Sequence, residues 1–589
     1  MPEFPSILSI RLKKLSKVRS KIGEKLQVNS ILRLTFFGGF AGFGILGYIY
    51  PILKLYLYTI SSLSFLLFLY TVRVYRSWEF LQTRVDSLVS FLKREKKRSE
   101  HQLEFLHKGE TVEENPNSFW KDLDVFGKKS LHTYLDTTIS AQGSEKLKSL
   151  LLQKELLSSE DIMKRQKLIG SLSGAKYRLL KILRLFYQAS ESEGYSKISP
   201  AKHLVPPSHY YEKHNIIGMI FRPFVILQFI IAAAVFMMDI SRIPFSFLIL
   251  NTLFMAVGFR ERNHLLKSWK KFSETFAGLK ELAFYLNRIG LLENSDLRKV
   301  FGRTESYERR FQYLDAPLFR MLLNVIFLWE FWEIKSLEKF YLHYKSSVLQ
   351  IIEAIEDLDS ILVFANFHLH NPDAVFPEIS ENTELEAKKL YHPLIPAEKR
   401  VSNAVDYMKG GELVLITGSN MSGKTTYIRS IGLNVLLAMC GSPVLAEKMK
   451  LPVMKILSSI RNEDSLSEGI SFFYSEVKKL RFILETVSDK NNRYIVLIDE
   501  VLKGTNTRER LIASSLILQK LIQSGAVSFV TTHDLALAKK KNAKIRLRHF
   551  KEDVDKEGKM IFGYKIQKGL VSSTNALRVL KSEVPDLFK

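Results

Sequence analysis

The sequence predicts an α/β domain at the C-terminal end of the chain, an all-α region ahead of it, and two helical hairpins apolar enough to cross a membrane. Three observations carry that expectation. The run Thr417-Gly418-Ser419-Asn420-Met421-Ser422-Gly423-Lys424-Thr425-Thr426 sits between an apolar stretch and a helical pattern. Farther on, Arg493-Tyr494-Ile495-Val496-Leu497-Ile498-Asp499-Glu500 takes an apolar stretch to two adjacent carboxylates. Residues 34–53 and 55–72 contain no charged side chain, and neither do residues 223–238 and 243–259.

The first run has the form G-x-x-x-x-G-K-[ST], a P-loop. Leu413-Val414-Leu415-Ile416 predicts a buried strand leading in, and residues 425–439 a helix leading out. The glycines let the backbone curl so that successive N–H groups face phosphate oxygens, and the helix N-terminus adds partial positive charge. Gly418, Ser419, Asn420, Met421, Ser422, Gly423, Lys424, Thr425 and Thr426 are therefore the candidate residues for binding ATP. Lys424 would reach the β- and γ-phosphates, and the Thr425 hydroxyl would bind Mg²⁺.

The second run reads as a strand with the form of a Walker B. Asp499 would hold the Mg²⁺ shell, and Glu500 would polarise or deprotonate the attacking water. Acidic strand ends are common, and the P-loop upstream is what makes this one specific. A third strand, Val527-Ser528-Phe529-Val530-Thr531, leads to Thr532-His533-Asp534, where His533 could touch the γ-phosphate or its water.

Around these elements the sequence resembles the ATPase domain of the MutS family. The P-loop has that family's Thr-Gly-x-Asn-Met-x-Gly-Lys form and is followed by Tyr427-Ile428-Arg429. Asp464-Ser465-Leu466-Ser467-Glu468-Gly469-Ile470-Ser471-Phe472-Phe473, then Glu476, resembles its Ser/Gly segment. Asp499-Glu500-Val501-Leu502-Lys503-Gly504-Thr505-Asn506-Thr507 resembles its Walker B with the loop beyond, and Thr531-Thr532-His533 its last switch. More weakly, Leu123-Asp124-Val125-Phe126-Gly127, Thr138-Ile139-Ser140-Ala141-Gln142-Gly143 and Arg165-Gln166 are similar to the start of its helical core domain. Lys389-Leu390-Tyr391-His392-Pro393-Leu394 and Val401-Ser402-Asn403 are similar to the lead-in to the ATPase, and Tyr564-Lys565-Ile566, Gly569 and Asn575-Ala576-Leu577 to its ending.

The resemblance implies an ABC-like ATPase of MutS type with ATP and Mg²⁺ as cofactors. It implies a homodimer in which Ser467 and Gly469 complete the partner's nucleotide site. It implies action on double-stranded or branched DNA in repair or recombination. No counterpart is found of the family's mismatch-reading Gly-x-Phe-Tyr-Glu motif. Phe331-Trp332-Glu333 has the letters Phe-x-Glu but lies in a helical pattern and reads as core. Mismatch recognition is therefore not carried over.

A single cysteine, Cys440, excludes an internal disulfide framework and suits a reducing compartment; it reads as core. The first two charge-free runs approach the roughly 20 residues that cross a bilayer, and the second two are shorter, at the margin for spanning. Tyr48, Tyr50, Tyr56 and Tyr58 flank the turn at Pro51, where an aromatic belt would lie. Arg11, Lys13, Lys14, Lys17 and Arg33 precede the first run, Arg73 and Arg76 follow the second, and Arg260 and Arg262 follow the fourth. By the positive-inside rule both hairpins begin and end in the cytoplasm, giving a multi-pass cell-membrane protein with its ATPase and both termini cytoplasmic. The net charge of +25 suits anionic membrane lipid, and equally DNA phosphates.

Five parts are expected: a basic segment at 1–33, a hairpin at 34–75, a charged helix at 76–115, a helical core at 116–385 with the second hairpin at 216–259, and the ATPase at 386–589. The alternative is the ATPase of a membrane transport or protein-remodelling system that does not bind DNA. Spacing disfavours a transporter. In ABC transporters the signature lies close before Walker B, whereas here a helix-length segment, residues 476–487, intervenes after Gly469.

Overall fold

The structure, a computed structural model, describes residues 4–106, 118–191, 200–208, 210, 227, 230, 251–253, 255–256, 258–419, 422–460, 472–489, 492–502, 506–538, 542–554 and 560–570. Most of the expected second hairpin at 216–259 lies outside them, as do Asn420, Met421, Ser467, Gly469 and residues 571–589. The chain forms two compact units: Met1–Thr137 with Glu145–Leu179 and Ile361–Lys589, and Thr138–Ser144 with Leu180–Ser360.

The first unit opens with helices α1 (Phe4–Ile49) and α2 (Lys54–Ser99), joined by a 3₁₀ turn at Pro51–Leu53. The segments expected at 1–33 and 76–115 are thus, where described, continuous with the hairpin. A helix propagates through a change of side-chain polarity as long as no proline interrupts its hydrogen bonds, and Pro51 is where it stops. Each 46-residue helix is about 69 Å long at 1.5 Å per residue, twice a bilayer core of ~30 Å. Ile22, Leu26, Val85 and Val89 close the hairpin's base. Near the turn the helices come close: a Cβ on Gly47 would stand 3.0 Å from the Tyr58 ring, so a larger residue there would have to push that ring aside. The apolar window of each helix is only 6% buried.

The rest of this unit is α/β. A six-stranded sheet runs in the order β10-β9-β4-β8-β7-β6, with β4 Leu413–Thr417, β6 Lys455–Ser459, β7 Tyr494–Asp499, β8 Val527–Thr531, β9 Ile545–Val554 and β10 Met560–Lys568. β9, β4, β8, β7 and β6 are parallel, and β10 pairs antiparallel to β9. Every residue of β4, β7 and β8 is buried, as the continuous apolar runs require of parallel strands covered on both faces. The P-loop helix, Lys424–Met439, buries 13 of its 16 residues. A second sheet has the order β1-β5-β2-β3, with β1 Glu378–Ser380, β2 Glu384–Leu390, β3 Asn403–Lys409 and β5 Lys448–Pro452.

The second unit is helical among its described residues. Trp269, Phe272, Phe276, Phe301, Phe311 and Phe331 are fully buried in it, which accounts for the Phe331-Trp332-Glu333 letters as core, although Trp332 is exposed. Asp359 accepts the N–H groups of Ile139 (3.0 Å) and Ser140 (2.8 Å) and the Ser140 hydroxyl (2.7 Å). A Cβ on Gly143 would lie 2.5 Å from that carboxylate, so the glycine of the 138–143 segment is what admits Asp359.

Candidate nucleotide site

Sheet order creates the site. β8 lies between β4 and β7, with Ile416 and Asp499 both in register with Thr531, so three neighbouring strands end side by side. Ligands of open α/β sheets bind beyond such carboxyl ends. The P-loop follows β4, Asp499-Glu500 ends β7, and Thr532-His533 follows β8.

The expected residues converge. Lys424 Nζ donates to the carbonyls of Gly418 (2.7 Å) and Ser419 (2.8 Å) and lies 3.2 Å from His533 Nε2. His533 Nε2 is 2.5 Å from Glu500 Oε1. The Thr425 hydroxyl donates to Asp499 Oδ2 at 2.8 Å, and the Thr531 hydroxyl donates to Asp499 Oδ1 at 2.6 Å. Ser422 ties the loop to itself through the Ser419 carbonyl at 2.9 Å. Gly418 and Gly423 have φ of +144° and +106°. Any side chain is strained there, and a Cβ on Gly418 would also meet the Phe550 carbonyl at 3.0 Å.

Sequence reasoning missed several participants. A cleft of about 670 Å³ is lined by Lys424, Thr425, Asp499 and Glu500 and also by His392, Asn403 and Tyr564. Its volume suits a small-molecule site. Tyr564 stands over the loop: a Cβ on Gly423 would lie 3.2 Å from its ring. Asn403 places it, donating to the Tyr564 carbonyl (3.0 Å) and accepting from Ile566 N–H (2.9 Å), where the β9–β10 register shifts. Burial and the nearby Arg429 pull His392 down to about 4, so it is neutral at pH 7. All three residues lie in similarity segments, but none carries a motif that assigns it a role.

The turn after Walker B holds two non-glycine residues in left-handed backbone, Glu500 (φ +61°) and Leu502 (φ +58°). Such residues cost about 1–3 kcal/mol each and persist where the surroundings hold them. Here Glu500 N–H donates to the Thr531 hydroxyl (3.1 Å), and Leu502 N–H donates to the buried Glu476 carboxylate (2.7 Å). Glu476 lies in helix Phe472–Thr486, which begins directly after the expected partner-facing segment.

A metal at this place needs hard oxygen ligands. Thr425 and Asp499 supply a hydroxyl and a carboxylate oxygen 2.8 Å apart, which fits Mg²⁺ completed by phosphate oxygens. No cluster of three or more His, Cys, Asp or Glu suited to a transition metal occurs among the described residues. Cys440 is buried, and burial pushes its thiol up to about 12, so it is core as expected.

A glycine-rich loop at a helix N-terminus, a threonine–aspartate pair and a glutamate–histidine pair at three adjacent strand ends define a P-loop nucleotide-binding domain. Residues 414–586 match the family model described as MutS domain V. The chain is 28% identical over 302 residues to MutS protein homolog 4 of Mus musculus, covering 48% of this chain and 31% of that protein. It is 32% identical over 303 residues to DNA mismatch repair protein MutS of Thermotoga maritima, covering 49% and 35%. It is 38% identical over 158 residues to Endonuclease MutS2 of Thermus thermophilus, covering 27% and 20%. By residues 414–586 the chain carries a domain of the MutS family. Its match spans about a third or less of the length of these relatives.

Proposed function

We propose that the protein is a membrane-anchored, MutS-type, Mg²⁺-dependent ATPase that switches conformation on DNA as a homodimer. The observation that carries the reading is the convergence of Lys424, the Thr425–Asp499 pair and the Glu500–His533 pair at three adjacent strand ends. Lys424 neutralises the β- and γ-phosphates, and the loop N–H groups hold their oxygens. Thr425 and Asp499 hold Mg²⁺, which supplies charge neutralisation along the phosphates when bound. Glu500 takes a proton from the attacking water, and His533, in contact with both Glu500 and Lys424, senses the γ-phosphate. Tyr564 offers an aromatic face for the base. The test is Mg²⁺-dependent ATP hydrolysis by the purified full chain, abolished by chelation.

Anchoring is supported by α1 and α2, whose apolar windows are charge-poor and almost wholly uncovered by protein. Bilayer lipid is the solvent such surfaces fit, with the basic halves of the helices at the cytoplasmic leaflet.

The dimer reading gives a prediction. Ser467 and Gly469 act on the partner's nucleotide, so a Lys424→Ala protein mixed with a Ser467→Arg protein forms hybrids that keep one intact composite site. Each variant alone is inactive; if the two sites fire independently each hybrid has about half the activity of a wild-type dimer, so an equimolar mixture that re-pairs at random recovers about a quarter of wild-type specific activity. Full activity in a protein that sediments as a monomer defeats the dimer reading.

The DNA reading gives another. Mismatch reading needs an aromatic wedge and a kinked duplex, and no such element was recognised in the sequence. Binding is expected to be electrostatic, with a steep salt dependence. Homoduplex and single-mismatch duplex titrated at one salt concentration are expected to agree within threefold. A tenfold preference for the mismatch, about 1.4 kcal/mol, would reveal a reader, and the absence of any salt-dependent binding would remove DNA as the substrate.

A further inference from the structure

In the helical unit, helix Pro317–Phe327 has its polarity reversed. It is eleven residues long, and the one buried residue in it is Asn324. Leu318, Phe319, Met321 and Leu322 are 80%, 54%, 58% and 55% exposed. Arg320 is turned inward, its guanidinium on Glu330 at 2.5 Å and on Asn263 at 3.0 Å. Asn324 accepts Glu330 N–H at 2.9 Å, and Glu330 also receives the buried Arg262 at 2.7 Å. A helix packed on a protein in water buries its apolar side and shows its polar side. This one does the opposite, which is the pattern expected where the surrounding solvent is hydrocarbon.

Its neighbours continue the pattern. Asn251 Nδ2 donates to the Val325 carbonyl at 2.6 Å, and Met255 and Phe259 line one hollow with Met321 and Val325. Residues 251–259 close the charge-free run at 243–259, and Leu253 and Phe259 there are 62% and 46% exposed. Just past the helix, Trp332 is 42% exposed, and tryptophan concentrates at membrane–water boundaries. At about 16 Å, the helix is half as long as a ~30 Å bilayer core is thick, so it can lie in the boundary plane but cannot cross.

We propose that helix Pro317–Phe327 is an in-plane membrane helix, with Leu318, Phe319, Met321 and Leu322 seated among phospholipid acyl chains next to the end of the second apolar run. The proposal rests on the membrane-anchored reading and adds an element that hydropathy scanning for spans does not find.

The test uses the full chain in phosphatidylcholine–phosphatidylglycerol vesicles. Phe319→Cys and Leu322→Cys, each in a Cys440→Ser background, carry an environment-sensitive fluorophore. Ser295→Cys, in an exposed loop of the same unit, is the aqueous control, and Leu63→Cys reports the first hairpin. At the roughly 5–10 Å depth of an interfacial helix, labels at 319 and 322 blue-shift, lose emission to lipid-attached quenchers and are shielded from aqueous iodide. The label at 295 shows none of this. Labels at 319 and 322 that behave like 295 overturn the proposal; quenching at 63 alone then leaves the anchor standing without an in-plane helix. Shielding from iodide without quenching by lipid assigns the face to a second copy of the chain or another protein, and also overturns it. Lipid quenching at 319 and 322 but not at 63 keeps the in-plane helix and defeats the hairpin reading.

Discussion

Glu500→Gln is expected to bind ATP as the wild type does and to hydrolyse it about 10²–10⁴-fold more slowly, the usual contribution of a positioned general base. Glutamine has the shape of glutamate, and the substitution leaves the left-handed backbone at residue 500 and its N–H bond to Thr531 in place. What it removes is the acceptor for the water's proton and the carboxylate facing His533. Lys424→Ala acts earlier. Lys424 is 5% exposed and bonds the Gly418 and Ser419 carbonyls, so its loss removes phosphate charge pairing and loosens the loop together. Nucleotide binding itself is then expected to fall. Equilibrium binding of a fluorescent ATP analogue, with single-turnover phosphate release, separates the two effects. Equal phosphate release by wild type and Glu500→Gln would take Glu500 out of the chemistry, and lost binding in Glu500→Gln would assign it a structural role.

The convergence of Lys424, Thr425, Asp499, Glu500 and His533 in the candidate site was legible in the sequence because its signals are local. A P-loop, an acidic strand end and a strand-end histidine each announce themselves within ten residues, and the apolar runs fix three of the strands to within a residue. The wall of the cleft was not legible. His392 and Tyr564 line one cleft because β10 pairs with β9 next to β4 and Asn403 clasps a register shift. No local pattern encodes that. The four-stranded sheet escaped because β2, Glu-Leu-Glu-Ala-Lys-Lys-Leu, is half polar and has no apolar run to mark it. That the same two helices continue into the flanking charged segments was hidden by the changes of charge, to which backbone hydrogen bonding is indifferent. The reversed polarity of Pro317–Phe327 was hidden for the opposite reason: its composition is plain, but only a folded structure says which face is inside.

Asp122→Ala is expected to weaken the P-loop domain by about 3–5 kcal/mol, the cost of leaving one partner of a buried ion pair alone. Asp122 is 1% exposed and lies in the short helix Phe119–Asp122, outside the sequence that forms the six-stranded sheet. Its carboxylate accepts Lys479 Nζ at 2.8 Å, the Ser458 hydroxyl at 2.6 Å and Ile460 N–H at 3.1 Å. Ser458 belongs to β6, the edge strand of the six-stranded sheet, and Lys479 to helix Phe472–Thr486. One side chain thus fastens an upstream segment over an edge that would otherwise be open to pairing, and it joins the helix carrying Glu476 to the same place. Cys440 offers the readout. It is fully buried at the end of the P-loop helix with its thiol pushed up to about 12, so a thiol reagent reaches it only when the domain opens. Labelling of Asp122→Ala is expected to run roughly 10²–10⁴-fold faster than wild type. Asp122→Asn combined with Lys479→Met, which removes both charges and keeps an acceptor for Ser458 and Ile460, is expected to recover most of the loss. An unchanged labelling rate in Asp122→Ala would mean that the upstream segment covers the edge strand without holding it.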